Sequence, residues 1–117
     1  MNSQLSVAVV GAGLGGLTAA ASLLERGFDV TVYEQAVELG EIGAGVQLSP
    51  NAMKVLRALG IEKQALEVSY EPERHVIRSW RSGRTLAATR LKGPLDVNYG
   101  AGYYGFHRAD LHRVLQS

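Results

Sequence analysis

The amino-acid sequence predicts an α/β fold, and three observations carry that expectation. A short run of small and β-branched residues, Ser6–Val10, ends at a cluster of glycines, as a buried parallel strand does. A stretch with helical spacing follows, and then a second β-branched run over residues 29–34. Farther along, residues 75–91 alternate in places around Ser82-Gly83, which predicts an antiparallel hairpin. Two strands joined by a helix imply a right-handed parallel crossover.

Each element has its own signals. Residues 14–26 read as a helix, because Leu17, Ala20, Ala21 and Leu24 fall on one stripe and Gly27 follows as a stop. Residues 35–48 read as a loop with glycines at 40, 43 and 45. Ser49 suits a helix cap and Pro50 the first helical position. Val55, Leu56 and Leu59 supply that helix with an apolar stripe, and Gly60 ends it. Residues 61–68 read as a short further helix. The hairpin is expected over 75–81 and 84–91. Gly93-Pro94 breaks the chain. Residues 103–107 then read as a strand, a third member of the parallel core, and 109–115 as a helix start.

Composition narrows the function. The 117 residues suffice for one domain and are 46% hydrophobic and 20% charged, near the globular average. The absence of cysteine excludes a disulfide scaffold, a thiolate metal site and a cysteine nucleophile, and is compatible with the expected cytoplasmic setting. The net charge of +1 argues against a nucleic-acid partner. Charge is nevertheless divided, with nine acids against four bases over residues 1–73 and two against eight over 74–117. A solvated face accounts for most of those arginines, and a surface that meets an anion is the alternative. No charged side chain precedes Glu25, but Gly, Ser and Thr interrupt the apolar stretch, so neither a membrane span nor a signal peptide is expected.

Gly11-Ala12-Gly13-Leu14-Gly15-Gly16 fits G-x-G-x-x-G. The pattern alone is weak. Here it follows a predicted strand, opens a predicted helix, and Glu34 closes the next strand 18 residues after Gly16. In such a Rossmann-like unit Gly11 permits the turn, Gly13 lets a pyrophosphate approach the backbone, and Gly16 lets helix and strand pack closely. Leu14 and Gly15 complete the expected cofactor-binding turn. Free N–H groups at the helix start attract a diphosphate. An ionised Glu34 accepts hydrogen bonds from ribose hydroxyls and repels a 2′-phosphate, so this site should reject NADP. A glycine-rich turn that binds nothing is the plainer alternative. FAD and NAD both offer the ADP half that such a turn takes, and the long glycine-bearing loop over 38–48 suits a cofactor arm extending past the sheet edge.

Four segments carry a family resemblance: GAGLGGL at 11–17, VYE at 32–34, GEIGAGVQLSPNAMKVLRALG at 40–60 and FHRADLHRVL at 106–115. Together they resemble the N-terminal, FAD-binding part of single-component FAD-dependent aromatic hydroxylases, most of all the salicylate-hydroxylase-like members. The resemblance implies a glutathione-reductase-type FAD-binding fold. It implies that Gly11, Gly13 and Gly16 hold the FAD pyrophosphate and Glu34 the adenosine ribose. It places Gly45, Val46 and Gln47 beside the ribityl or isoalloxazine portion, and Arg108 near the phosphate and ribityl region. An arginine at a helix start beside a glycine-rich approach is itself well suited to phosphate. Gln35 stands where many relatives have a basic residue. The implied parent reaction hydroxylates an aromatic or heteroaromatic acid with O2, NADH or NADPH serving as transient reductant. The family's Gly-Asp and Asp-Gly segments and its substrate sheet are missing, so the resemblance implies an incomplete FAD-binding domain over 1–117, a fragment not catalytically complete by itself. Apolar surface left exposed would then favour self-association. An NAD-binding dehydrogenase domain and a non-catalytic nucleotide-binding or assembly module are the alternatives.

Other residues attract structural readings. His107 and His112 lie five apart with no third ligand, so no metal site is expected. His75 reads as a strand residue, and Asp110 has no carboxylate partner close in sequence. Tyr99, Tyr103, Tyr104 and Phe106 could stack on a flavin, but an aromatic-rich strand more often builds core. Trp80 is expected to pack.

Overall fold

The computed structural model describes residues 5–38 and 43–117. The opening unit forms as the sequence predicts. Strand β1 (Ser6–Val10) leads through the glycine turn into helix α1 (Leu14–Glu25), and the chain returns as β2 (Asp29–Tyr33). The two strands pair in parallel from Ser6 opposite Asp29 to Val10 opposite Tyr33. Gly27, at a φ of 84°, makes the reversal after α1, and its N–H bonds the Leu24 carbonyl. Val7, Val9, Val30 and Val32 are half-buried, whereas the alternate residues from Ser6 to Tyr33 are exposed. The pleat therefore buries only one face of this sheet.

The next segment departs from expectation. Gly45–Leu48, read as loop, forms strand β3. It precedes α2 (Pro50–Ala58), α3 (Glu62–Glu67) and the two-residue β4 (Ser69–Tyr70). Ser49 occupies the cap position of α2, but its hydroxyl donates to Asn51 Oδ1 instead of capping the helix backbone. The hairpin consists of β5 (Arg74–Arg78) and β6 (Thr85–Arg90), with a register irregularity between Ile77 and Arg78. Each arm is shorter than the sequence suggests, because residues 79–84 are used in the reversal, where Ser79 N–H bonds Arg84 O and Gly83 N–H bonds Ser79 O. Trp80 does not pack there. It is 87% exposed, with the Arg81 guanidinium 5.0 Å from its ring centre. Helix α4 (Pro94–Tyr99) stands where the sequence signals only a break.

Strand β7 (Tyr104–His107) is not the third parallel strand. It lies between β3 and β4, antiparallel to both, with Gly45 opposite His107 and Ser69 opposite Phe106. Its partners were a strand concealed in a glycine-rich loop and a two-residue strand, neither visible as hydrophobic alternation. Helix α5 (Arg108–Gln116) follows directly. The core gathers Met53, Leu56, Ala65, Ala101, Phe106, Leu111 and Leu115, with Leu14, Leu17, Val46 and Leu48 packed against it. This core sets α1, α2, β3 and α5 around the glycine turn.

Candidate functional site

The site begins with a backbone problem. The chain leaves β1 at Gly11, whose φ of 101° disfavours residues with a Cβ. Gly11 N–H still bonds Tyr33 O at 2.7 Å, so the turn is anchored to β2. A Cβ on Gly16 would land on the Gly11 carbonyl, so only glycine lets α1 come this close to the turn. Around Gly15, by contrast, a Cβ would meet nothing within 4 Å. Gly13 is the cap residue of α1, which carries no side-chain cap and no acid in its first turn. The first intrahelical bond runs from Leu17 N–H to Gly13 O, leaving the amides of Leu14, Gly15 and Gly16 without helical acceptors.

Glu34 lies just past β2 and turns back to this loop. Its Oε1 accepts from Ala12 N–H at 3.0 Å and its Oε2 from Ala36 N–H at 2.8 Å. The bond from Ala12, reinforced by that from Ala36, lowers its pKa below the ordinary 4.5. A carboxylate has lone pairs to spare beyond these two bonds, and ribose hydroxyls can donate to them.

One more element, α5, closes on the turn from the far end of the chain. Arg108 opens α5, and its N–H bonds the carbonyl of Ala44 at 3.1 Å. The Arg108 Cδ would lie 3.8 Å from a Cβ on Gly43, whose φ is 155°. Arg108 Nε is buried and has no hydrogen-bond partner among the described residues. A buried guanidinium nitrogen without an acceptor is costly unless a ligand supplies one. One helical turn later His112 is 2% exposed, and its Nε2 lies 2.7 Å from the Ala12 carbonyl oxygen. Sequence reasoning set this histidine aside, since the only signal for it was a missing metal partner.

The predicted site residues are thus brought together unequally. The turn over residues 11–16 and Glu34 are tied together by the Ala12–Glu34 bond, and Arg108 stands on α5 one helical turn before the His112 that reaches Ala12, against Gly43 and Ala44. Gly45 sits at the start of β3, next to the Gly43–Arg108 contact. Val46 packs its side chain against the core, so only its backbone is available to a ligand. Gln47 points to the exposed side of β3, opposite Gly105. Gly40 lies outside the described residues. Among the described residues no cluster of three metal-ligating side chains occurs, and no helix is long and apolar enough to cross a membrane.

Open amides, a guanidinium whose buried Nε lacks an acceptor among the described residues, and an ionised carboxylate are groups that take a diphosphate and its ribose. A profile of the family described as FAD binding domain matches residues 4–115. The chain belongs to this FAD-binding family. The 3-amino-4-hydroxybenzoate 2-monooxygenase of Streptomyces cremeus is 44% identical over the whole chain, and the 6-hydroxynicotinate 3-monooxygenase of Pseudomonas fluorescens 44% over 98% of it. The chain spans about 30% of the length of either relative. Among solved structures, 2-methyl-3-hydroxypyridine-5-carboxylic acid oxygenase superposes with a TM-score of 0.84 at 28% identity, over 98% of this chain and 29% of that one. An HpxO variant from Klebsiella pneumoniae complexed with FAD superposes at 0.82 and 31% identity, over 96% of this chain and 28% of its own. The Rossmann-like FAD-binding fold and FAD as cofactor follow from this membership, and the residues described above fit that group.

Proposed function

We propose that this FAD-binding chain serves a flavin-dependent monooxygenase that hydroxylates an aromatic or heteroaromatic acid, with NADH or NADPH as reductant. The observation that carries the reading is the set of open α1 amides with Glu34 bonded to the same glycine turn, and α5, which carries the acceptor-less Arg108 Nε, fastened to that turn through His112. In this reading the backbone of residues 11–16 holds the FAD diphosphate, and Glu34 accepts from the adenosine ribose. Arg108 neutralises phosphate charge from α5, and the backbone of Gly45, Val46 and Gln47 flanks the rest of the cofactor. FAD supplies the redox chemistry when bound, and the protein contributes position, charge and exclusion of water. The names of the relatives support a small aromatic substrate, and residues 1–117 act as the dinucleotide-binding portion. A cytoplasmic setting fits the need for a nicotinamide reductant.

The test is fluorescence titration with FAD. Flavin emission should be quenched on binding, and Glu34→Ala should weaken affinity roughly tenfold, since the ribose loses its acceptor. Equal affinity in variant and parent would remove Glu34 from the site. NAD binding in preference to FAD would point to a dehydrogenase domain.

A further inference from the structure

His112 is a buried histidine to which the proposed cofactor contacts give no task. It lies on α5, four residues and about 6 Å along the helix from Arg108. Its Nε2 contacts the Ala12 carbonyl at 2.7 Å, and its Nδ1 lies 2.7 Å from Gln116 Nε2. A carbonyl can only accept, so Nε2 carries the hydrogen and donates. Gln116, one turn farther on, donates its amide hydrogen to Nδ1 and so fixes both the tautomer and the ring plane. On its other side the same Ala12 residue donates its N–H to Glu34 Oε1 at 3.0 Å. Ala12 is itself buried, so water cannot replace either bond cheaply. Both flanking peptide units of Ala12 are therefore held by side chains, one from just past β2 and one from α5.

The peptide that His112 grips is the one that joins Ala12 to Gly13. Its carbonyl belongs to Ala12 and its N–H to Gly13, the cap residue of α1, so fixing the carbonyl aims that N–H in the opposite direction, away from His112. Gly13 has no Cβ, and nothing in its own side chain restrains this rotation. We infer that His112, fixed by Gln116, is a positioning residue that sets the Ala12–Gly13 peptide so that the Gly13 amide faces the diphosphate. Because Arg108 shares α5, the same helix delivers the guanidinium and orients the amide, and the two move as one body. The inference rests on the proposed diphosphate site and deepens it.

The experiment is calorimetric titration of the full chain with FAD, ADP and adenosine, for the parent and for His112→Phe, His112→Gln and Gln116→Met, with melting temperature recorded for each. The expected result is a roughly tenfold loss of ADP and FAD affinity in His112→Phe with adenosine binding unchanged, because adenosine has no diphosphate for the Gly13 amide to meet. His112→Gln, which can return an N–H to the same carbonyl, should keep affinity within about threefold. Gln116→Met, with the ring present but unfixed, should fall between them. If His112→Phe does not fold, the other two variants decide. Gln116→Met binding ADP as the parent does would overturn the inference. So would an equal loss for ADP and adenosine, which marks a purely structural histidine. A parent that binds neither FAD nor ADP would overturn the diphosphate site as well, whereas a parent that binds both alongside an unaffected His112→Phe removes His112 alone.

Discussion

The glycine turn and the β5–β6 hairpin are built on opposite plans. At the turn, Ala12 is buried, its N–H and C=O are each taken by a side chain, and neighbours from α5 and β2 converge on it. In the hairpin every residue of β6 is exposed, and among the described residues β5 and β6 pair only with each other. Residues 74–92 carry five arginines and a lysine with no acid between them. A two-stranded ribbon without a covered face is marginal in water. The turn owes its shape to packing from distant parts of the chain, whereas the hairpin owes its shape to local pairing and its reversal. Substitutions should therefore be felt at the first and tolerated at the second.

The largest effect belongs to the core that supports the turn. Phe106→Ala, at a residue 1% exposed, should cost about 3–5 kcal/mol in denaturant unfolding. A loss below 1 kcal/mol would mean that the sheet carrying β7 is not the foundation of the site. Next come the two adjacent glycines. Gly16→Ala should destabilise by about 1–3 kcal/mol, since its methyl meets the Gly11 carbonyl and backbone must move. Gly15→Ala meets open space and gains helix propensity, so it should stabilise by roughly 0.5 kcal/mol. Equal responses in thermal melts would contradict the close approach of α1 to β1.

Acid offers a subtler probe of the same region. The pKa of Glu34 is lowered on folding, so its contribution is fully present above the ordinary 4.5 and is lost as pH falls through the depressed native value. FAD affinity and stability should hold constant on the neutral side of 4.5 and decline below it, and Glu34→Gln should remove its share of that decline. The smallest effect is expected in the hairpin. Leu86→Ala, at an exposed position of β6, should change stability by less than about 0.5 kcal/mol. A cost of several times that would show that the hairpin has a packing partner.

The parts of the fold that were legible in the sequence are those whose signals are local. The unit β1–α1–β2 has β-branched runs, a helical stripe and a glycine turn in succession, and Glu34 follows at the spacing a dinucleotide site requires. The hairpin announces itself by Ser82-Gly83. What was not legible depends on partners far away in the chain. Gly45–Leu48 has glycine at one end and only four residues, so it reads as loop until β7 supplies its hydrogen bonds. The direction of β7 is likewise set by β3 and β4 and by nothing in its own residues. His112 is a harder case. Its partner is a main-chain carbonyl, which leaves no mark in the pattern of side chains, and it reveals itself only when α5 is placed against the turn. Trp80 fails in the opposite direction, as a large apolar side chain that the described residues leave uncovered.

The bond between His112 and Ala12 spans 100 positions of sequence. A chain emerging from the ribosome presents these glycines early, yet the turn cannot be fastened to α5 until that helix has been synthesised some 100 residues later. Elongation at about 5–20 residues per second makes that interval several seconds or more. Throughout that time the glycine turn lacks the bond that ties it to α5. If His112 positions the turn as proposed, a nascent chain arrested short of it should hold flavin more weakly than the finished chain, even though every glycine of the motif is already in place.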